Sequence, residues 1–305
     1  MMRRSVRLLI VLYLLTLVSI ASRPAEAGGG WVPDPGHGDF ELGYSDKTAS
    51  DQWLSNGHAT AHILGAARNY HDFKYAYLGG EVGLLKNLSG TFLMTYLDGL
   101  EGARNKEEHN AGLSDAWFGF KYKLHGGDLP MALAVNVRVP WFYDINGPYN
   151  RHLFNPDGSI RGVSPQWRGL LKYDYTLSYL VSRSMWDRGW MNFQVGYTWR
   201  DGAPADETPV SFDLGYPLPF WNSALKVDAY YDHARGNNSR PQPDDRFGAR
   251  PIYNFNKATM FKAGIGLWVP LGASSWSLDV GYDQWLWGRS ARRYKEPHLG
   301  IDRRF

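Results

Sequence analysis

The chain has 305 residues, 15% of them aromatic and none of them cysteine, which excludes disulfides, thiolate metal sites, a cysteine nucleophile and a lipid-modified N-terminal cysteine. Taking Arg3, Arg4, Arg7, Arg23 and Glu26 out of 33 basic and 30 acidic side chains leaves 29 of each, so beyond residue 27 the chain is formally neutral and makes no electrostatic case for nucleic acid. A mean hydropathy of −0.41 speaks against a bundle of membrane helices, but not against strands that turn one apolar and one polar face.

Residues 1–27 read as a secretory signal peptide. Arg3, Arg4 and Arg7 form a basic start, residues 8–21 an apolar run, and Ala25 and Ala27 the small residues of a cleavage site, so that the mature chain begins at Gly28. The apolar run is shorter than the roughly 18 residues a spanning helix wants, and no second run of that length follows. Any membrane insertion must therefore be by strands.

After a Gly/Pro segment (28–38), a first strand alternates Phe40, Leu42 and Tyr44 with Glu41, Gly43 and Ser45. A connection over 47–72 leads to a second strand near 73–86, whose adjacent Gly79 and Gly80 leave its parity unclear, and to a third near 91–99. A charged loop over 101–110 opens onto the most informative stretch, 111–143. There Ala116, Phe118, Phe120, Tyr122 and Leu124 alternate with Asp115, Trp117, Gly119, Lys121 and Lys123. After a Gly126-Gly127-Asp128 turn, Leu133, Val135, Val137, Val139 and Trp141 alternate with Ala132, Ala134, Asn136 and Arg138. Period-two alternation over about ten residues marks strands with one apolar and one polar face. Strands of soluble domains usually stop after about five or six residues, whereas about nine to eleven tilted residues cross a bilayer. The stretch is a transmembrane hairpin with its apolar face to lipid and its polar face to a lumen.

The pattern repeats to the end. A loop over 144–166 precedes strands near 167–181, then around Met191 to Trp199, Val210 to Tyr216 and Leu225 to Tyr231. A polar loop over 235–253 precedes strands around Phe261 to Val269 and Trp276 to Tyr282, and a last strand covers about 294–305. The expected fold is all-β, a transmembrane antiparallel up-and-down barrel of about 12 strands forming one domain over 28–305. Alternate connections are long and polar (47–72, 101–110, 144–166, 201–208, 235–253) or tight, as when long loops face outward and short turns face the periplasm.

By parity, the polar face carries Glu41, Lys121, Lys123, Asn136, Arg138, Lys172, Asp174, Gln194, Asp213, Lys226, Asp228, Lys262, Asp279 and Asp283. These are the expected lumen-lining residues. Both signs are present, so the wall predicts no strong charge selectivity, and a salt-bridged lining that stabilises the barrel is the plainer reading of them. Phe305 closes an amphipathic strand, as in the outer-membrane insertion signal, although Arg303 stands where an aromatic or apolar residue is usual. Trp141, Trp199, Trp221, Trp276, Trp285 and Trp287 fall near strand ends, as interfacial girdles require.

Chemistry is harder to find. His58 and His62 are four apart, with His71 beyond, but no carboxylate lies at a metal-ligand spacing, and solvated loop histidines are expected rather than a metal site. A lipid-acting barrel enzyme would need a serine and a histidine brought together; no G-x-S-x-G turn occurs, and a barrel triad cannot be read from spacing. No catalytic residue and no cofactor is assigned.

The run Gly112-Leu113-Ser114-Asp115 to Lys121-Tyr122-Lys123-Leu124, then 131–140 ending in Pro140, resembles a signature of the outer-membrane barrel family of the phenol-degradation (MetA pathway) type. Trp287-Gly288-Arg289-Ser290 is similar to that family's Gly-Arg-Asn loop, with Ser for Asn. The resemblance covers about the last two thirds of the chain. It implies a barrel that passes small, often aromatic, molecules and supplies no catalytic residue. Together these readings predict a channel in the cell outer membrane of a Gram-negative bacterium for a small solute, aromatic or otherwise apolar. Its partners would be outer-membrane lipid, the barrel assembly machinery and the solute, and it would be a monomer. The alternative is a structural or accessory barrel, for surface polymer export or adhesion, with no open pore.

Overall fold

The computed structural model describes residues 29–53, 57–60, 70–103, 106–140, 173–186, 188–200, 205–235, 258–289 and 291–305. They form β1 (Gly38–Trp53), the two-residue β2 (Ala59–Thr60), β3 (Tyr70–Leu85), β4 (Leu88–Ala103), β5 (Lys106–His125), β6 (Met131–Val139) and β7 (Asp174–Met185). β8 (Gly189–Arg200), β9 (Asp206–Pro217), β10 (Ala224–Arg235), β11 (Thr259–Pro270), β12 (Trp276–Arg289) and β13 (Ala291–Arg304) complete the order. Each long strand pairs antiparallel with the next, and β13 returns to β1, which closes a twelve-stranded barrel; β2 only caps the far end of β1. Closure removes every unpaired edge that a membrane could not satisfy.

Alternation decides which way each side chain points. Phe120 is 59% exposed, Leu42 57% and Ile265 56%, while on the opposite parity Lys121 is 3% exposed and Asp279 7%. Large apolar side chains thus cover the outside of the barrel and polar ones its inside. The molecule is turned inside out relative to a water-soluble fold, and the outer band suits lipid. Bulges reset the parity at several places, among them β5 and β12. On β5, Met94 pairs with Ala116 but Tyr96 with Leu113, so Leu113 and Phe118 both face outward despite opposite parity. On β12, Phe261 pairs with Trp287 but Lys262 with Trp285.

The start of β1, the end of β13 and the tight turns share one end of the barrel, the periplasmic end in this class of fold. There Gly127 and Gly272 take the positive φ their turns need. Trp186, Trp221 and Asn222 adopt it without being glycine, in connections where Trp221 stays 74% exposed.

Several boundaries differ from the sequence expectation. β1 runs on to Trp53, and β4 and β5 pair as far as Ala103 and Lys106, so most of 101–110 is strand and not a charged loop. The last strand likewise begins at Ala291, directly after β12. Lipid contact demands apolar side chains, but the backbone ladder does not; it continues beyond the apolar band because each residue still offers its N–H and C=O. The expected signal peptide, Trp141, the loop over 144–166, most of 235–253 and the paired His62 lie outside the described residues.

Candidate functional site

The inner face of the barrel holds the chain's polar chemistry, in three groups. The first is a girdle of alternating charge over β5 to β9. Arg138 pairs with Asp174 and lies 3.7 Å from Asp115, with its guanidinium 5.0 Å from the Trp117 ring. Arg200 reaches the same Asp174 at 3.4 Å and also pairs with Glu207. The register sets this up, because Arg138, Asp174 and Arg200 are directly opposed on β6, β7 and β8.

The second group spans β10 to β13 and β1. Lys226 pairs with Asp279 and Lys262 with Asp283, at 2.6 Å for the latter. The Lys226–Asp279 pair straddles β11, the Lys262–Asp283 pair joins β11 to β12, and the inward Gly264 of β11 leaves room beside them. A Cβ at Gly264 would overlap the carboxylates of both Asp228 and Asp283, and one at Gly300 would overlap Glu41. These side chains therefore lie flat along the wall instead of projecting to the axis. Tyr77 donates to Glu41 at 2.5 Å, and His298 is 3.9 Å from Asp279.

The third group is aromatic and lies toward the far end. The Lys47 ammonium sits 4.9 to 5.4 Å from the rings of Trp285, Tyr75 and Tyr294, and 3.3 Å from Glu296. Phe73 adds contacts to Tyr75 and Tyr294. Trp285 is therefore no interfacial girdle residue: it lies ahead of the β12 bulge on the inward parity of Asp279 and Asp283, where it is 9% exposed. Trp199, Trp221, Trp276 and Trp287 do lie outside or in a turn, and Arg303, on the outward parity, stacks 5.1 Å over Trp276.

Of the other residues singled out in the sequence, Lys121 bonds Glu81 at 2.6 Å and Asn136 accepts from Thr91 at 3.0 Å. Gln194 donates to Ser178 at 3.0 Å, and Asp213 accepts from Trp190 and Asn192. Lys123 shares the parity of Lys121 and is half-buried opposite Ala132. Lys172 lies outside the described residues. Phe305 exchanges two backbone hydrogen bonds with Gly38, of 2.9 and 3.0 Å, at the seam of the barrel. Sequence reasoning missed Lys47, Glu81, Arg200 and Glu207. Arg200 carried a signal, the parity of Asn192 and Gln194; Glu81 lay in the one strand whose glycines hid its parity. Among the described residues, no group of three or more His, Cys, Asp or Glu could hold a metal ion.

No protein-family model matches the chain, and no curated protein matches it in sequence. Solved structures do match in three dimensions. An outer-membrane channel from Pseudomonas putida F1 superposes with a TM-score of 0.65 at 11% identity, over 94% of this chain and 100% of that one. The likeness is one of fold. The translocator domain of the autotransporter NalP from Neisseria meningitidis (TM-score 0.47, 10% identity, 92% and 90% covered) and the NanC porin (0.47, 8%, 88% and 100%) resemble it more distantly.

Proposed function

We propose that the chain is an outer-membrane channel of a Gram-negative bacterium that passes a small solute, aromatic or otherwise apolar, along the inner face of the barrel. The observation that carries this reading is the glycine-backed wall of β10 to β13 and β1, where Glu41, Asp228 and Asp283 fold onto Gly300 and Gly264. A barrel built only for rigidity would fill that space with side chains, as small barrels do. The inward rings of Phe73, Tyr75, Tyr294 and Trp285 offer stacking faces to an aromatic solute. The fold shared with an outer-membrane channel agrees with this reading. Residues 1–27 would be the export signal, and lipid, the assembly machinery and the solute the partners of a monomer. Lys121, Lys123, Asn136, Arg138, Asp174, Gln194, Lys226, Asp228, Lys262, Asp279 and Asp283 would line the path.

A barrel with no open pore is the second reading, favoured by the chain segment that lies across its periplasmic mouth. Swelling of liposomes holding the refolded protein separates the two, with small aromatic acids, sugars and amino acids compared at equal osmolarity. Swelling above protein-free vesicles, fastest with the aromatic acids, is expected. Absence of swelling with every class, from protein whose gel mobility shifts on heating as a folded barrel's does, would overturn the channel.

A further inference from the structure

The nine residues before β1 turn back over the tight-turn end, exposed at residues 34–37 and buried against the inner wall at Gly30, Trp31 and Val32. Beside the end of β3, Gly36 donates its N–H to Gly83 at 2.9 Å, Gly83 donates back to His37 at 2.8 Å, and Pro35 forms a bridge with Gly83. Farther along, Val32 packs among Ala132, Ala134 and Leu180 of β6 and β7. At the segment's start, the Gly30 N–H donates to Ser182 Oγ at 2.6 Å, and the Gly29 carbonyl accepts from Lys121 Nζ at 3.1 Å. The segment thus passes from β1 to β7 across the inner wall, a few residues inside the tight-turn end.

The wall is shaped for it. Ala132 and Ser182 are fully buried and Ala134 nearly so, although they stand on the face that a water-filled barrel would leave wet. A Cβ at Gly29 would overlap Ser182 and Asn192, and one at Gly30 the Pro130 carbonyl, so the approach needs glycine at both positions. The cradle also survives without its occupant, because Lys121 keeps Glu81 at 2.6 Å and Ser182 keeps Asn192 at 2.5 Å. One valine, one tryptophan (Trp31, 9% exposed) and two wall hydrogen bonds, set against the ordering of the six backbone residues 29–34, leave docking close to balance.

We propose that residues 29–37 are a detachable plug of the periplasmic mouth, and that the conducting state of the barrel is the one in which residues 29–34 have left the wall. This rests on the channel reading. Twelve strands about 4.8 Å apart and tilted about 40° close on a backbone diameter of roughly 24 Å. Inward side chains narrow that further, and a peptide strand laid on the wall takes up much of what remains.

The test uses planar bilayers with three refolded proteins lacking residues 1–27: the unaltered chain, a variant without residues 29–34, and the Val32→Cys, Ala134→Cys pair. The chain's lack of cysteine makes that pair the sole possible disulfide. The unaltered chain is expected to show low conductance with long closures, and the shortened one a conductance several-fold higher without them. The oxidised pair should stay low until a reductant restores opening. Equal conductance in the unaltered and shortened proteins, or no response of the pair to reductant, overturns the plug and leaves the channel standing. Silence from both folded proteins overturns plug and channel together. Should the shortened barrel fail to fold, the disulfide pair decides alone, since it keeps every residue of the segment.

Discussion

Asp174 is 1% exposed and holds two guanidiniums, those of Arg138 and Arg200. A charge between two opposite charges in a site shut off from solvent is the arrangement whose truncation leaves the most behind, because both arginines would remain buried with a partner lost. Asp174→Ala is therefore expected to lower stability by about 3 kcal/mol. Lys123→Met, half-buried on the same wall, should stay within about 0.5 kcal/mol. Urea unfolding of both variants in lipid vesicles measures the difference, and equal midpoints would show that the girdle carries no stability. Gly264 gives a second residue-scale expectation. A methyl there would overlap Asp228 and Asp283, so Gly264→Ala should cost about 1–3 kcal/mol by overpacking. Adding Asp228→Ala, which frees part of that space and keeps the Lys262–Asp283 pair, should recover part of the loss in the same assay.

At the scale of the strand, a single rule, apolar side chains to one face, fixes the direction of every residue once lipid lies outside. In the β5–β6 hairpin, Phe120 faces lipid while its neighbour Lys121 is buried inside beside Glu81. Phe120→Arg should then cost about 2–4 kcal/mol, as a cation on the lipid face near mid-depth does; an unfolding midpoint unchanged from the parent would place Phe120 away from the hydrocarbon. The same rule explains what could be read from the sequence. Tyr175, Leu177 and Phe193 declared their strands because lipid selects side chains two apart. The rule falls silent where lipid is absent, so Lys47 and Ala103 read as loop although the ladder carries them. It also fails at bulges, because one extra residue inverts the parity after it, as where Leu113 and Phe118 both face outward. Nearness to a strand end misplaces Trp285, whose parity with Asp279 and Asp283 sends it inward under Lys47. The docked segment was invisible for a different reason: its contacts to Ser182 and Lys121 span 152 and 92 residues, and no local period encodes them.

For the barrel as a whole, the distribution of charge matters more than its sum. Along the chain the two signs looked balanced, which argued against charge selectivity. Folding sorts them. On β10 to β13 and β1, Glu41, Asp228, Asp279 and Asp283 face inward against Lys226 and Lys262, and nearer the tight-turn end Asp39 and Asp302 face Arg304. The flat, glycine-backed wall thus carries more carboxylates than cations, and it lies across the lumen from the wall that holds residues 29–32. An ion passing between them meets a net negative field wherever the lumen is wide enough to conduct. Screening length is about 10 Å at 0.1 M salt and about 3 Å at 1 M, so the field reaches the middle of the lumen only in dilute salt. Reversal potentials in KCl gradients at pH 8 should accordingly show a cation preference of a few-fold when dilute, falling toward none at 1 M. The double variant Asp279→Asn, Asp283→Asn removes two of the six carboxylates from this wall and leaves four against three cations, so it should bring the preference close to none. Anion preference in the parent, or a preference unmoved by salt, would mean that the path does not run along this wall.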